Sequence, residues 1–580
     1  MNHIHDAMNQ AADLIAAAAR SAMAEGLIPE CDDLPQNHVE VPKDLQNGDY
    51  ASTFCLQCAK KLRMAPRKLA ELLVERVKLE GTYFTEVTIA GPGFLNFRLS
   101  QDWFSAVLRG IRETGENYGR TKAKKPEKVM VEFVSANPTG PMHLGNARGG
   151  VLGDSLAEVF ARAGHDAHRE FYVNDAGNQI EKFAKSIDAR YLQLVLGEDA
   201  VEFPEDGYHG ADIRDLAEKY RTQFGDGLAQ EEEGKRHEVL AAFGLQHNIP
   251  RMQADLERYK IHYDLWFRES SLYESNYVSD TVDKLTANGW TYEKDGALWL
   301  RTADLLRNYY RAEGKKDEDI EKLALKDDVL RRANGFYTYF AADIAYHRNK
   351  FEVRGFDRVI NIWGADHHGH VARLKCALDA LGLDGSHRLE IVLMQLVQLL
   401  REGQPVRMSK RTGNAIALSD LLDEVPIDAA RFFFNSRSAG SPIDFDLDLA
   451  VRQDSDNPVY YVQYAHARIQ SILRALAQDG IDTDPQADLS VLTAGAELDL
   501  IRELSKLPEE IRLAAFNRDP SRLCRYAGQI ATAFHRFYTE CRIKGAEDAV
   551  RDARIYLCRC TAQVIKNTLN CIGVTAPDRM

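Results

Sequence analysis

The residues Pro141-Met142-His143-Leu144-Gly145-Asn146 stand where a β-type run ends and a helical pattern begins. A nucleotide set there would meet backbone N–H groups and the positive end of the helix dipole. Glycine at 145 would let the chain approach an adenine ring where a side chain would clash, and His143 can hydrogen-bond phosphates as they rearrange. Far downstream, Arg407-Met408-Ser409-Lys410-Arg411-Thr412-Gly413-Asn414 gathers cations on a glycine-bearing loop. Cations held ready there suit the charge that develops on a leaving pyrophosphate. Each short run recurs by chance in unrelated chains. The two in this order, each at the right place in an α/β pattern, are far more specific.

The elements that must position these residues can be read on either side. Val129–Val134 is a compact β-type run, Ser135–Pro141 a loop, Leu144–Ala163 a helical pattern and Arg169–Val173 a further strand. Strand, glycine-bearing loop, helix, strand is the order of a parallel, doubly wound (Rossmann-like) sheet. More strand candidates follow at Arg358–Trp363 and Leu389–Leu393. Before the sheet, residues 1–115 mix helical patterns with short strand-like runs, as in an α+β domain, and the polar link Arg120–Lys128 marks a boundary. The expected organisation is an N-terminal domain over 1–115 and a catalytic domain over 116–400 with a charge-rich insertion at about 185–325. A connecting segment over 401–450 carries the cationic loop, and an all-α bundle fills 451–580.

A chain of 580 residues is too long for one core, so several domains are expected. With 45% hydrophobic and 28% charged residues and a mean hydropathy of −0.37, the composition is that of an ordinary soluble globular protein. A net charge of −14 argues against holding nucleic acid by bulk charge, yet leaves room for a local basic groove. Nine cysteines, an odd count with no secretory signal pattern, point to reduced thiols and a cytoplasmic location. Cys55-Leu-Gln-Cys58 has metal-like spacing, but no second pair of matching spacing follows nearby, so no structural zinc is expected. No stretch has the length and apolarity of a membrane span.

The two motifs resemble the His-Ile-Gly-His and Lys-Met-Ser-Lys-Ser signatures of class I aminoacyl-tRNA synthetases. Further stretches narrow the resemblance to the arginyl-tRNA synthetase family: Glu132–Pro141, Tyr172–Gln179, Tyr339–Tyr346, Trp363–His370, Asp428–Phe432, Tyr461–Arg468 and Asp578–Met580. Two departures stand out. Asn146 takes the place of the last histidine of the first signature, and Arg407 and Arg411 flank Met-Ser-Lys where Lys and Ser are usual.

The resemblance implies ATP-dependent activation of L-arginine and its transfer to tRNA(Arg), with Mg²⁺ carried by ATP and tRNA required for the first step. It implies His143, Gly145, Asn146 and Lys410 as the catalytic set. The same residues, with Asp366, His368, Met408 and Ser409, would bind ATP. Arginine would be held by Glu132 and Asn137, with His143, at its α-ammonium and carboxylate end, and by Tyr339 and Asp343 at the guanidinium. A guanidinium offers five donors in a rigid fork that a carboxylate accepts side by side, and a site built on those bonds rejects lysine without an editing domain. By the same resemblance Phe94 and Asn96 would read the tRNA D-loop, and Tyr464 and Arg468 belong to a helical anticodon-binding region. No motif suggests a symmetric interface, so a monomer is expected. The rivals are a cysteinyl-type synthetase, which would want a Cys/His zinc cluster where this half has only Cys376, a small-molecule nucleotidyltransferase, and an RNA-binding regulator without catalysis.

Overall fold

The structure, a computed structural model, describes residues 2–31, 34–35, 38–406, 416–482 and 484–580. The expectations on Met408, Ser409 and Lys410 lie outside the described residues. The chain opens with a helix, His3–Ala24, whose alanine-rich face (Ala7, Ala11, Ile15, Ala18, Ala22) is buried. Beside it lie four antiparallel strands, β1 (Val39–Glu40), β2 (Tyr50–Ser52), β3 (Phe84–Ala90) and β4 (Phe94–Leu99), in the order β1-β2-β4-β3. The β3–β4 turn needs glycine at 93, where φ is 136° and a Cβ would come within 2.8 Å of the Pro66 backbone.

The central sheet has five parallel strands: β5 (Lys128–Glu132), β6 (Asp166–Val173), β7 (Leu265–Arg268), β11 (Arg358–Gly364) and β12 (Leu389–Met394), ordered β12-β11-β5-β6-β7. The order reverses between β5 and β11, and in such sheets ligands bind outside the carboxyl ends of the strands at that reversal. Val129, Met130 and Val131 are fully buried because crossover helices cover both faces. One crossover, the helix Leu144–Arg162, packs so closely that a Cβ on Gly153 would meet the Phe133 ring at 2.1 Å.

The stretch 185–325 holds more than inserted helices. The helices Asn178–Leu196, Ala211–Phe224 and Glu233–Arg258 form their own small apolar core, and the chain then returns to the main sheet as β7. Beyond it, β8 (Thr291–Lys294), β9 (Ala297–Leu300) and β10 (Asp328–Arg331) make an antiparallel sheet. It leads into the helix Tyr339–Arg348, which continues as a π-turn over Asn349–Val353.

From Pro458 the chain is helical, with long helices Pro458–Gln478, Ser521–Glu540 and Asp548–Asn570. The bundle docks on both other regions through one apolar core that runs from Ala7 to Val574. Two residues of the Asp428–Phe432 stretch pin this docking. Arg431, fully buried, donates to the carbonyls of Tyr259, Lys260 and Ile572 and pairs with Asp154. Asp428 accepts from Lys260, Gln463 and Thr575. Among the described residues no helix is long and apolar enough to cross a membrane.

Candidate active site

A cavity of about 880 Å³ opens at the carboxyl ends of β5, β6, β11 and β12, where the strand order reverses. Its walls include Glu132, Gly145, Asn146, Tyr339, Asp343 and Asp366. Asn137, His143 and His368 are exposed and lie outside the lining.

The β5 strand ends on Glu132 and breaks into left-handed backbone at Val134 (φ 70°) and Ser135 (φ 42°). A β-branched residue there is strained, and such strain collects at functional sites. The kink turns Ser135 back so that its hydroxyl donates to Glu132 Oε1 at 3.0 Å and accepts from the Tyr172 N–H at 3.2 Å. Glu132 Oε2 is taken by the ammonium of Lys350, a residue with no exposed surface.

Two motif residues, Tyr339 and Asp343, and His347 just beyond the motif sit one helical turn apart on the Tyr339–Arg348 helix. Tyr339 is half-exposed over the cavity and its hydroxyl accepts from the Gln179 N–H. Asp343 Oδ2 lies 3.0 Å from His370 Nε2. Burial holds the His347 imidazole well below its ordinary value, and Lys350 adds to that. Neutral His347 with its proton on Nδ1 donates to the Asp343 carbonyl at 2.8 Å, which leaves Nε2 to accept from Asn361 at 2.7 Å.

Glu269 escaped the reading of the sequence. It follows β7 directly, is 2% exposed, and faces the cavity beside Tyr172 and Asn174. The Tyr172–Gln179 stretch builds its cradle. Asp175 accepts from the Ser270 N–H and hydroxyl, and Asn174, with its amide turned to suit its neighbours, donates to Glu269 Oε2 at 2.9 Å. Oε1 has no hydrogen-bond partner among the described residues. Burial pushes the carboxyl up to about 7, with Asp343 and Asp175 adding and the Tyr172 hydroxyl opposing. No local motif surrounds Glu269. The only signal was the apolar run Leu265-Trp266-Phe267 before it, inside a segment that reads as an insertion.

At the nucleotide end, Asn146 Oδ1 caps its own helix by accepting from the His143 N–H at 2.9 Å. A Cβ on Gly145 would meet no protein atom within 4 Å, so any demand for glycine comes from what fills the cavity. Ala417, just past residues 407–415, bridges to His143, and the Leu418 N–H donates to the Met142 carbonyl at 2.8 Å. The chain just past the second motif therefore returns to the first. His367, His368 and His370 do not converge on an ion, and among the described residues no group of three or more His, Cys, Asp or Glu could hold a metal.

Away from the cavity, Asn96 is buried within the N-terminal sheet at 5% exposure and Phe94 is half-buried. Tyr464 is exposed on the bundle, stacked between Tyr460 and His535, and Arg468 beside it lies over the Tyr538 ring at 5.2 Å.

A parallel sheet reversing at this cavity, with the chain just past residues 407–415 joined to the first motif and a helical bundle docked alongside, has the architecture of a class I aminoacyl-tRNA synthetase. Residues 110–438 match the family described as "tRNA synthetases class I (R), catalytic domain", residues 9–99 "Arginyl tRNA synthetase N terminal domain" and residues 462–580 "DALR anticodon binding domain". The chain is 49% identical to the arginine–tRNA ligase of Acetivibrio thermocellus and 50% identical to that of Caldanaerobacter subterraneus, each covering 100% of both chains. The chain belongs to the arginyl-tRNA synthetase family. Its fold is shared with the Thermus thermophilus arginyl-tRNA synthetase, with a TM-score of 0.70 at 22% identity over 99% of this chain and 100% of that one.

Proposed function

We propose that the protein is an arginine–tRNA ligase. It activates L-arginine with ATP to arginyl-adenylate and transfers the arginyl group to the 3′ end of tRNA(Arg), releasing AMP and pyrophosphate. The observation that supports this most is the pair of acids in one cavity, Asp343 and the buried Glu269, the latter with no cationic partner among the described residues and only the Tyr172 and Tyr273 hydroxyls near its second oxygen. A buried carboxylate in need of donors fits a guanidinium, which supplies two in a fixed fork.

In this reading Tyr339, Asp343 and Glu269 take the guanidinium, and Glu132 with Asn137 the α-ammonium end. His143, Gly145 and Asn146 meet the phosphates and adenine, Asp366 and His368 the adenosine, and Met408, Ser409 and Lys410 the leaving pyrophosphate. The arginine carboxylate attacks the α-phosphate and pyrophosphate leaves. A terminal ribose hydroxyl of tRNA then attacks the activated carbonyl and AMP leaves. Positioning and fixed charge supply the acceleration, with no covalent enzyme intermediate. Mg²⁺ arrives on the ATP phosphates. Phe94 and Asn96 contact the D-loop, Tyr464 and Arg468 the anticodon arm, and the enzyme works as a cytoplasmic monomer. Since Asn96 is buried, Phe94 carries the larger part of the D-loop contact.

ATP–pyrophosphate exchange with each of the twenty amino acids, with and without bulk tRNA, tests the reading. Exchange with arginine alone, and only when tRNA is present, is the expected result. Exchange with another amino acid would replace the substrate. A folded protein with no exchange under either condition would remove the activity.

A further inference from the structure

Three polar residues form a row across the middle of the apolar sheet. Asn361 on β11, Glu132 on β5 and Glu170 on β6 are register neighbours on adjacent strands, and they are 0%, 6% and 0% exposed. Two buried carboxylates side by side are costly without cations. The cations come from one place. The helix carrying Tyr339 and Asp343 widens into the π-turn Asn349–Val353, which aims Lys350 at Glu132, and Arg354 follows to pair with Glu170, whose other oxygen accepts from Tyr346.

Lys350 is enclosed by acceptors and an aromatic face. Its ammonium reaches Glu132 Oε2, Asn361 Oδ1 at 3.3 Å and His347 Nε2 at 3.4 Å, and it lies 4.1 Å from the centre of the Tyr346 ring. It does not line the cavity, whereas Glu132 does. One Glu132 oxygen is thereby fixed by Lys350, and the other, touched only by the Ser135 hydroxyl, is presented to the cavity. An apolar side chain at 350 would have spared the desolvation of a full charge, so a reason beyond stability is needed for a lysine here.

We infer that Lys350 is a positioning residue for the amino-acid substrate: without touching arginine, it fixes the Glu132 carboxylate in the orientation that receives the α-ammonium. The inference rests on the proposed role of Glu132. It also explains why the π-turn lies on the helix that carries Tyr339 and Asp343. One rigid element then sets both ends of the arginine site, the guanidinium end directly and the α-ammonium end through Lys350.

The test compares arginine with its analogue lacking the α-amino group, as substrate KM against inhibition constant in pyrophosphate exchange with tRNA present. In Lys350→Met the preference for arginine over the analogue should fall about 10²-fold, the cost of a misplaced binding group, with KM for ATP unchanged. Glu132→Gln should lose the same preference, and the double variant should be no worse than either single one. Lys350→Arg keeps the charge but shifts the donors, and should fall between wild type and Lys350→Met. A folded Lys350→Met with wild-type preference would overturn the inference. Should Lys350→Met not fold, a wild-type preference in Lys350→Arg would overturn it instead. If Glu132→Gln itself keeps the preference, the role of Glu132 falls, and the inference with it.

Discussion

Glu132 and Glu269 line the same cavity, and each is more than nine-tenths buried, but their surroundings are opposite. Glu132 sits at a strand end with a lysine ammonium and a serine hydroxyl already on its two oxygens. Glu269 has a single amide on one oxygen, no cation on either among the described residues, two further acids and the Tyr172 and Tyr273 hydroxyls nearby, and a carboxyl raised to about 7. The protein supplies a cation to Glu132 itself and, among the described residues, none to Glu269. A carboxylate at the end of an arginine pocket gains most if its cation is the substrate, because binding then relieves a burial cost that the free protein carries.

That contrast can be broken by experiment. The largest effect should come on stability from Glu132→Leu, which strands the Lys350 ammonium in the interior and should cost about 3–5 kcal/mol of unfolding free energy by denaturant titration. Glu269→Gln should do the reverse. A carboxyl raised in the folded state destabilises the fold progressively as pH climbs from its ordinary range through about 7. The variant should therefore melt above wild type at pH 8, with the gain shrinking toward pH 5. A loss of stability in Glu269→Gln at pH 8 would mean that Glu269 already has a partner within the protein.

On substrate binding the roles exchange. Glu269→Gln should raise KM for arginine by about 30- to 5,000-fold, equivalent to the 2–5 kcal/mol lost when one partner of a buried charge pair is removed, with KM for ATP unchanged. Wild-type KM for arginine should rise as pH is lowered from 8 to 6, by about tenfold per unit once Glu269 takes up its proton, and Glu269→Gln should flatten that profile. A flat wild-type profile would assign the guanidinium to Asp343 alone. The smallest effect is expected from Ser135→Ala, which removes one bond to Glu132 and should weaken arginine binding by about 1 kcal/mol, or some fivefold.

Much of this was readable in advance, for a physical reason in each case. The strand–loop–helix order around His143 and Gly145 is local, since hydrophobic period and glycine placement are properties of neighbouring residues. β6, β11 and β12 fall close to where the apolar runs stand, and the chain from Pro458 onward is helical as its periodicity requires. Tyr339 and Asp343 share a wall because four residues make one helical turn.

The tertiary structure alone decided the rest. β7 belongs to the main sheet although its four residues sit in a charge-rich stretch, because parallel pairing depends on a crossover and not on local pattern. Asn96 is buried by its strand neighbours, although the family resemblance implies that it meets the tRNA D-loop. Glu269, Lys350 and Asn361 carry no signature, since what matters about each is a contact with a residue far away in the chain. The sequence by itself determined which chemistry the protein is equipped for, because motif order and composition are local. Only the folded chain decided which carboxylate is paired with a lysine and which is not, because strand register and a single π-turn set those distances.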